Sequence, residues 1–122
     1  MSAEKKSYKS GETLFNDGDL AKSLFLIQKG AVSIRKKKGI GTIEVGKVLA
    51  GEVIGELSFF DHQPRSATGI AIIDVEAMEI SFESMENIYA SVPSYMKAIM
   101  AAMANRLRTA NETIQQLRKI PD

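Results

Sequence analysis

From Gly11 to Ser81 the chain is a succession of short apolar runs, each closed by a turn residue. "TLF" (13–15) runs into "DGD" (17–19), and "LFLIQ" (24–28) stops before Gly30. "AVSIRK" (31–36) alternates apolar and polar residues, and "TIEV" (42–45), "VIG" (53–55), "TGIAII" (68–73) and "VEAMEIS" (75–81) continue the series. The runs are too short for ordinary helices. Valine and isoleucine are frequent in them, and these side chains suit a pleated surface. Short strands with turns about eight to twelve residues apart predict a mainly β fold, a sandwich or barrel-like roll over about residues 11–81. Residues 1–10 are polar and are expected to form a frayed tail.

After Ser81 the pattern changes period. "SFESMENIYASV" reads as a short helix with acidic residues in its first turn, where the helix dipole favours them, and with Ser81 or Ser84 as its cap. Pro93 suits the first turn of a second helix, which runs to about Arg118, with Lys119 near its end and Pro121 beyond. Such a helix is roughly 39 Å long, too long to pack fully on so small a roll. Met96, Met100, Met103, Leu107, Ala110, Ile114 and Leu117 follow a heptad seam along it. Its first half is expected to lie on the roll and its second half to offer a helix–helix dimer seam. The methionines would make that seam adaptable.

A chain of 122 residues is sized for one domain. It contains no cysteine, which excludes disulfides, thiolate metal sites and thiol catalysis. No apolar run approaches membrane-span length and the first residues do not form a secretory signal, so a cytoplasmic location is expected. A net charge of +1 argues against general electrostatic binding to nucleic acid. The basic run "RKKK" (35–38) has two readings, an anion contact or a solvated hairpin end; Gly39 and Gly41 favour the second. His62 is the single histidine and sits in a polar loop, so neither a metal site nor acid–base catalysis has enough partners. One histidine also cannot supply a cupin metal site. Ser58 has no base arranged near it in sequence. Glu76, Glu79, Glu83 and Glu86 read as surface charge. No enzyme activity, metal or cofactor is expected.

The segment "GELSFFDHQPRSA" (55–67) carries the most specific chemistry. It has a carboxylate at Glu56 and a guanidinium at Arg65, too far apart in sequence for a helix-surface ion pair. Gly55 allows the backbone to approach a ligand closely, and "ELSFF" can form a helical turn whose free N–H groups favour an anion. Arg65 can clamp the same anion with two parallel bonds. Ser66 adds a hydroxyl and Ala67 an amide. Glu56 only accepts hydrogen bonds, so it suits a sugar hydroxyl. The segment reads as a cradle for a sugar phosphate; the competing reading is that Glu56 and Arg65 simply form a structural ion pair.

"GEVIGELSFFDHQPRSA" resembles the phosphate-binding cassette of the cyclic nucleotide-binding domain family, at Gly51, Glu52, Gly55, Glu56, Leu57, Arg65, Ser66 and Ala67. Gly18 in "NDGD" and Gly30 in "LIQKGAVSI" resemble the family's two early turn glycines. The resemblance covers about residues 8–118. It implies an eight-stranded β-roll followed by a short helix and a long C-terminal helix, with residues 11–122 forming the domain. It further implies that Glu56 holds the ribose 2′-hydroxyl, and that Arg65, Ser66 and the amides of Gly55 and Ala67 hold the cyclic phosphate. Ile34, Val45, Val48, Ile54 and Leu57 would line the purine and sugar.

"MANRLRTANETIQQL" (103–117) is similar to the dimerising helix of catabolite-activator-like regulators. There a threonine–serine pair touches adenine, and the corresponding positions here are Ala110 and Asn111. Asn111 can read a purine edge and Ala110 cannot; Arg106, Thr109 and Thr113 are the substitutes. Ser66 is compatible with cyclic AMP, whereas threonine at that place tends to favour cyclic GMP in the family. Nothing within the chain has the basic recognition helix of a helix-turn-helix domain, so direct DNA binding is not expected. The chain is either a stand-alone sensor or the sensor half of a longer protein. The expected function is a regulatory domain that binds cyclic AMP, with cyclic GMP the second choice. It would relay occupancy through the C-terminal helix to a homodimer partner or an effector. The alternative is a dimerisation or scaffold module with a vestigial pocket.

Overall fold

The structure is a computed structural model and describes residues 3–117. Its strands are β1 (Ala3–Tyr8), β2 (Thr13–Phe15), β3 (Ser23–Lys29), β4 (Ala31–Lys38), β5 (Gly41–Leu49), β6 (Val53–Ile54), β7 (Thr68–Ala71) and β8 (Val75–Ser81). A short helix α1 (Leu57–Asp61) lies between β6 and β7, and α2 (Phe82–Tyr89) and α3 (Ser94–Leu117) follow the strands. The strands form two antiparallel four-stranded sheets, ordered β1-β8-β3-β6 and β2-β7-β4-β5. Phe25, Ile27, Val32, Val48, Ile54, Ala71, Val75 and Ala77 fill the space between them. The expected mainly β roll with C-terminal helices is therefore the architecture found.

The N-terminal tail departs from expectation. Residues expected to fray form β1, the eighth strand, paired with β8 from Ala3↔Ile80 to Tyr8↔Val75. β1 is an edge strand, so charged side chains suit its open side. Lys5 pairs with Glu76 at 3.0 Å across the ladder, and Tyr8 meets the Phe25 ring edge-on at 6.3 Å. A strand stabilised mostly by its partner carries little apolar signal of its own.

In β5 the ladder slips: Ile34 faces Gly46, but Arg35 faces Glu44, leaving Val45 as an extra, bulged residue. Alternation would put Val45 and Val48 on opposite faces. The bulge resets the phase and both are buried.

Ser81 caps α2, its hydroxyl accepting from the Ser84 N–H at 3.4 Å. Pro93 stands just before α3 rather than inside it, its carbonyl accepting from Met96 and Lys97. The expected end of this helix at Arg118, with Lys119 and Pro121, lies outside the described residues. The basic run does close the β4–β5 hairpin, with β4 ending at Lys38 and β5 starting at Gly41, but only Lys37 of the four is exposed. Arg35 donates to Thr42 and Lys36 to the Ser66 carbonyl, while Lys38 donates to the carbonyls of Gln115 and Gln116. Gln115 returns a bond to the Lys37 carbonyl, so the hairpin grips the last described turns of α3.

Candidate functional site

One cavity of about 470 Å³ gathers β4, β5, β6, α1, the residues just before β7 and the inner side of α3. Its volume lies in the range of small-ligand pockets, roughly 300–1,000 Å³. Ile34, Val45, Val48, Ile54, Gly55, Glu56, Leu57, Arg65, Ser66, Ala67 and Asn111 all line it. Phe15, Gly46 and Lys47 line it without a local signal in the sequence, and Leu107 and Ile114, expected in the helix seam, line it as well.

Arg65 is 7% exposed. Its Nη1 donates to the Gly55 carbonyl at 3.0 Å and its Nη2 to the Ser23 carbonyl at 2.7 Å. The guanidinium lies 4.5 Å from the Phe15 ring centroid, a cation–π contact. Its backbone is held on both sides by the early turn: Gly18 N–H donates to the Arg65 carbonyl, and Arg65 N–H to Asp19. Burial draws the guanidinium below its ordinary pKa, opposed by the carboxylates of Glu79, Asp19 and Glu56. Among the described residues no carboxylate forms an ion pair with it, so the competing Glu56–Arg65 pair is not formed.

Gly55 makes this placement possible. Its φ is +88°, and a Cβ there would sit 2.5 Å from Arg65 Nη1. Glu56 follows as the residue preceding α1, with no side-chain capping bond. Burial raises its pKa above the ordinary carboxylate value, against its own backbone N–H and Arg65, which lower it. It is an acceptor turned toward the cavity without a strong cationic partner.

α3 closes the site. Leu107, Ala110, Asn111 and Ile114 face the cavity. Arg106 does not: it lines a neighbouring groove with Glu56, Leu57, Phe60, Met100, Met103 and Ala104. Thr109 and Thr113 are absent from both linings, and the Thr113 hydroxyl is bonded to the Thr109 carbonyl at 2.9 Å. Of the four candidates on this helix for a purine edge, the structure brings only Asn111 to the cavity.

The residue that docks α3 is Arg108. It pairs with Asp61, donating through Nε and, at 3.0 Å, through Nη2. Nη2 also reaches Ser58 Oγ at 3.3 Å and the Pro64 carbonyl at 3.1 Å, one residue before Arg65. The Arg108 and Asp61 side chains are only 12% and 13% exposed. Their separation of 47 residues left no spacing signal in the sequence. His62 is exposed and ends α1 with φ 58°.

The family model of the cyclic nucleotide-binding domain matches residues 5–92. The chain belongs to this family. It is 33% identical over 112 residues to the cAMP-activated global transcriptional regulator CRP of Escherichia coli O6:H1, covering 90% of this chain and 53% of that protein. It is 35% identical to the cAMP-dependent protein kinase type II regulatory subunit of Drosophila melanogaster, covering 61% of this chain and 22% of that one. The chain thus spans about half the length of the first relative and less of the second. Among solved structures, an EAL enzyme in its cAMP- and cyclic-di-GMP-bound form superposes with a TM-score of 0.83 at 25% identity, over 89% of this chain and 29% of that one. In this chain Gly55, Glu56, Leu57, Arg65, Ser66 and Ala67 are assembled around one cavity. No described helix is long and apolar enough to cross a membrane.

Proposed function

We propose that this domain is a non-catalytic, cytoplasmic sensor that binds cyclic AMP in preference to cyclic GMP and reports occupancy through α3. The observation that carries the reading is the buried guanidinium of Arg65, paired with no carboxylate among the described residues and facing the same cavity as Glu56. A buried charge favours a site where an anion completes it. The cyclic phosphate would meet Arg65, the Ser66 hydroxyl and the amides of Gly55 and Ala67. The ribose hydroxyl would meet Glu56, with the apolar strands against the sugar and purine and Asn111 on the purine edge. The names of the curated relatives support cyclic AMP. The same EAL enzyme is also solved in a cGMP-bound form, which keeps cyclic GMP as the competitor.

Titration of the wild type with cyclic AMP and cyclic GMP, across pH and beside Glu56→Gln, tests this reading. Cyclic AMP should bind more tightly than cyclic GMP. Because burial raises the Glu56 pKa, its acceptor is lost from a higher pH than an ordinary glutamate would show. Affinity should therefore fall as pH drops through that raised value, and Glu56→Gln should bind weakly with no such step. The sign for stability is opposite. A raised carboxyl pKa stabilises the fold fully below the unfolded value, and that contribution is lost as pH rises through the folded one. The ligand-free Glu56→Gln protein should therefore be at least as stable as wild type at pH 7. No binding of either nucleotide by folded wild type would leave the dimerisation or scaffold module with a vestigial pocket.

The relay would work as a population shift, which requires the ligand to favour one placement of α3. Arg108 supplies a direct route, since it joins α3 to Asp61, Ser58 and Pro64 beside the phosphate-binding residues. Met103, Leu107 and Leu117 remain 64%, 46% and 76% exposed, a surface for a second copy of this chain or for an effector. A double-mutant cycle with Arg108→Gln and Asp61→Asn should give a coupling of about 1–3 kcal/mol in stability. Arg108→Gln should also speed amide exchange along α3 and weaken cyclic AMP binding several-fold. Unchanged exchange, or α3 in one position with and without nucleotide, would reject this relay.

A further inference from the structure

Lys36 is 7% exposed, as deeply buried as Arg65. It lies on β4 two residues beyond Ile34, and strand alternation puts it on the cavity-facing side. β4 pairs with β7 as far as Arg35↔Thr68, so Lys36 follows in register beside the cassette's exit. Its ammonium donates to the backbone carbonyl of Ser66, the residue after Arg65. Among the described residues no carboxylate forms an ion pair with it. A buried ammonium without a counter-charge costs stability unless something anionic completes its surroundings.

Resting on the cyclic nucleotide reading above, we infer that Lys36 is a second cationic determinant of the phosphate site, acting from behind the Ser66–Ala67 peptide. The ammonium sits on the carbonyl end of that peptide unit, while the amide end belongs to Ala67, an expected phosphate donor. Polarising the carbonyl makes the Ala67 N–H a stronger donor. It also fixes the backbone that carries the Ser66 hydroxyl. Adding covalent and hydrogen-bond lengths across the peptide places the ammonium about 8 Å from a phosphate oxygen bonded to Ala67. At that distance and an intermediate dielectric, a unit charge is enough to change affinity about tenfold. The cassette thus holds its anion between two buried cations, one in front of the peptide and one behind it.

The test is titration of wild type, Lys36→Met and Lys36→Arg with cyclic AMP, alongside the ligand-free melting temperature and the amide ¹⁵N shift of Ala67. Methionine keeps the length and apolar stem and removes the charge. Lys36→Met should bind cyclic AMP about tenfold more weakly, about 1.4 kcal/mol, with its ligand-free melting temperature near wild type. Its Ala67 amide should move upfield, and Lys36→Arg should recover most of the affinity. Wild-type affinity in Lys36→Met would overturn the inference, whether or not its melting temperature falls. So would an unmoved Ala67 amide, or Lys36→Arg binding no better than Lys36→Met in a folded protein. Absence of cyclic AMP binding in wild type would instead remove the nucleotide reading itself, so the two failures are distinguishable.

Discussion

Arg65→Ala is expected to lose cyclic AMP binding by at least about thirtyfold and to melt measurably earlier even without ligand. The two effects have different origins. Removing one partner of a buried, hydrogen-bonded charge contact costs about 2–5 kcal/mol of binding, which sets the lower bound on the affinity loss. The ligand-free loss comes from the carbonyls of Gly55 and Ser23, which lose their donors, and from the vacated face of Phe15. Leaving buried carbonyls unpaired should cost roughly 2–4 kcal/mol in stability. Arg65→Lys separates them: a point charge remains but the planar fork does not, so stability should partly recover while affinity stays well below wild type. Calorimetric titration reads the first quantity and denaturant unfolding the second. Wild-type affinity in folded Arg65→Ala would remove Arg65 from the site.

Gly55→Ala is expected to act on the same group from the other side. A non-glycine residue at φ +88° carries a strain of about 1–2 kcal/mol. Its Cβ would also press on Arg65 Nη1 at 2.5 Å, so the guanidinium must leave its two carbonyls. Together these should exceed roughly 2 kcal/mol in stability and reproduce much of the affinity loss of Arg65→Ala. Gly51→Ala is the matched control, because Gly51 has φ +90° but nothing within 4 Å of an added Cβ. It should carry the backbone strain alone and keep nucleotide binding. Equal effects of the two substitutions on affinity would show that the contact with Arg65 does not matter.

Much of the fold was legible because β-structure writes itself locally. Strands β2 to β8 each coincide with a short apolar run and end at a turn residue, and the Ser81 cap and the long helix have their own local signals. β1 was missed because "AEKKSY" is an edge strand whose stability comes from β8. The site was legible for a related reason. Gly55, Glu56, Arg65, Ser66 and Ala67 lie within 13 consecutive residues, and one turn of helix suffices to bring them together.

What the chain's order of residues determined by itself is the roll, the helices and the segment 55–67 with its acceptor and its cation. Each depends on neighbours a few residues away. Only the tertiary structure decided how that segment is enclosed. The bulge at Val45 turns two valines three residues apart to the same side, and Arg108 reaches Asp61 across 47 residues. Lys36 was one letter of a basic run until β4 carried it into the interior against Ser66. Of Arg106 and Asn111, five residues apart on one helix, the packing of α3 brings only Asn111 to the cavity. These outcomes depend on register, on the angle at which a helix lies on a sheet, and on which charges are removed from water. Those are properties of surfaces meeting, and no local spacing encodes them.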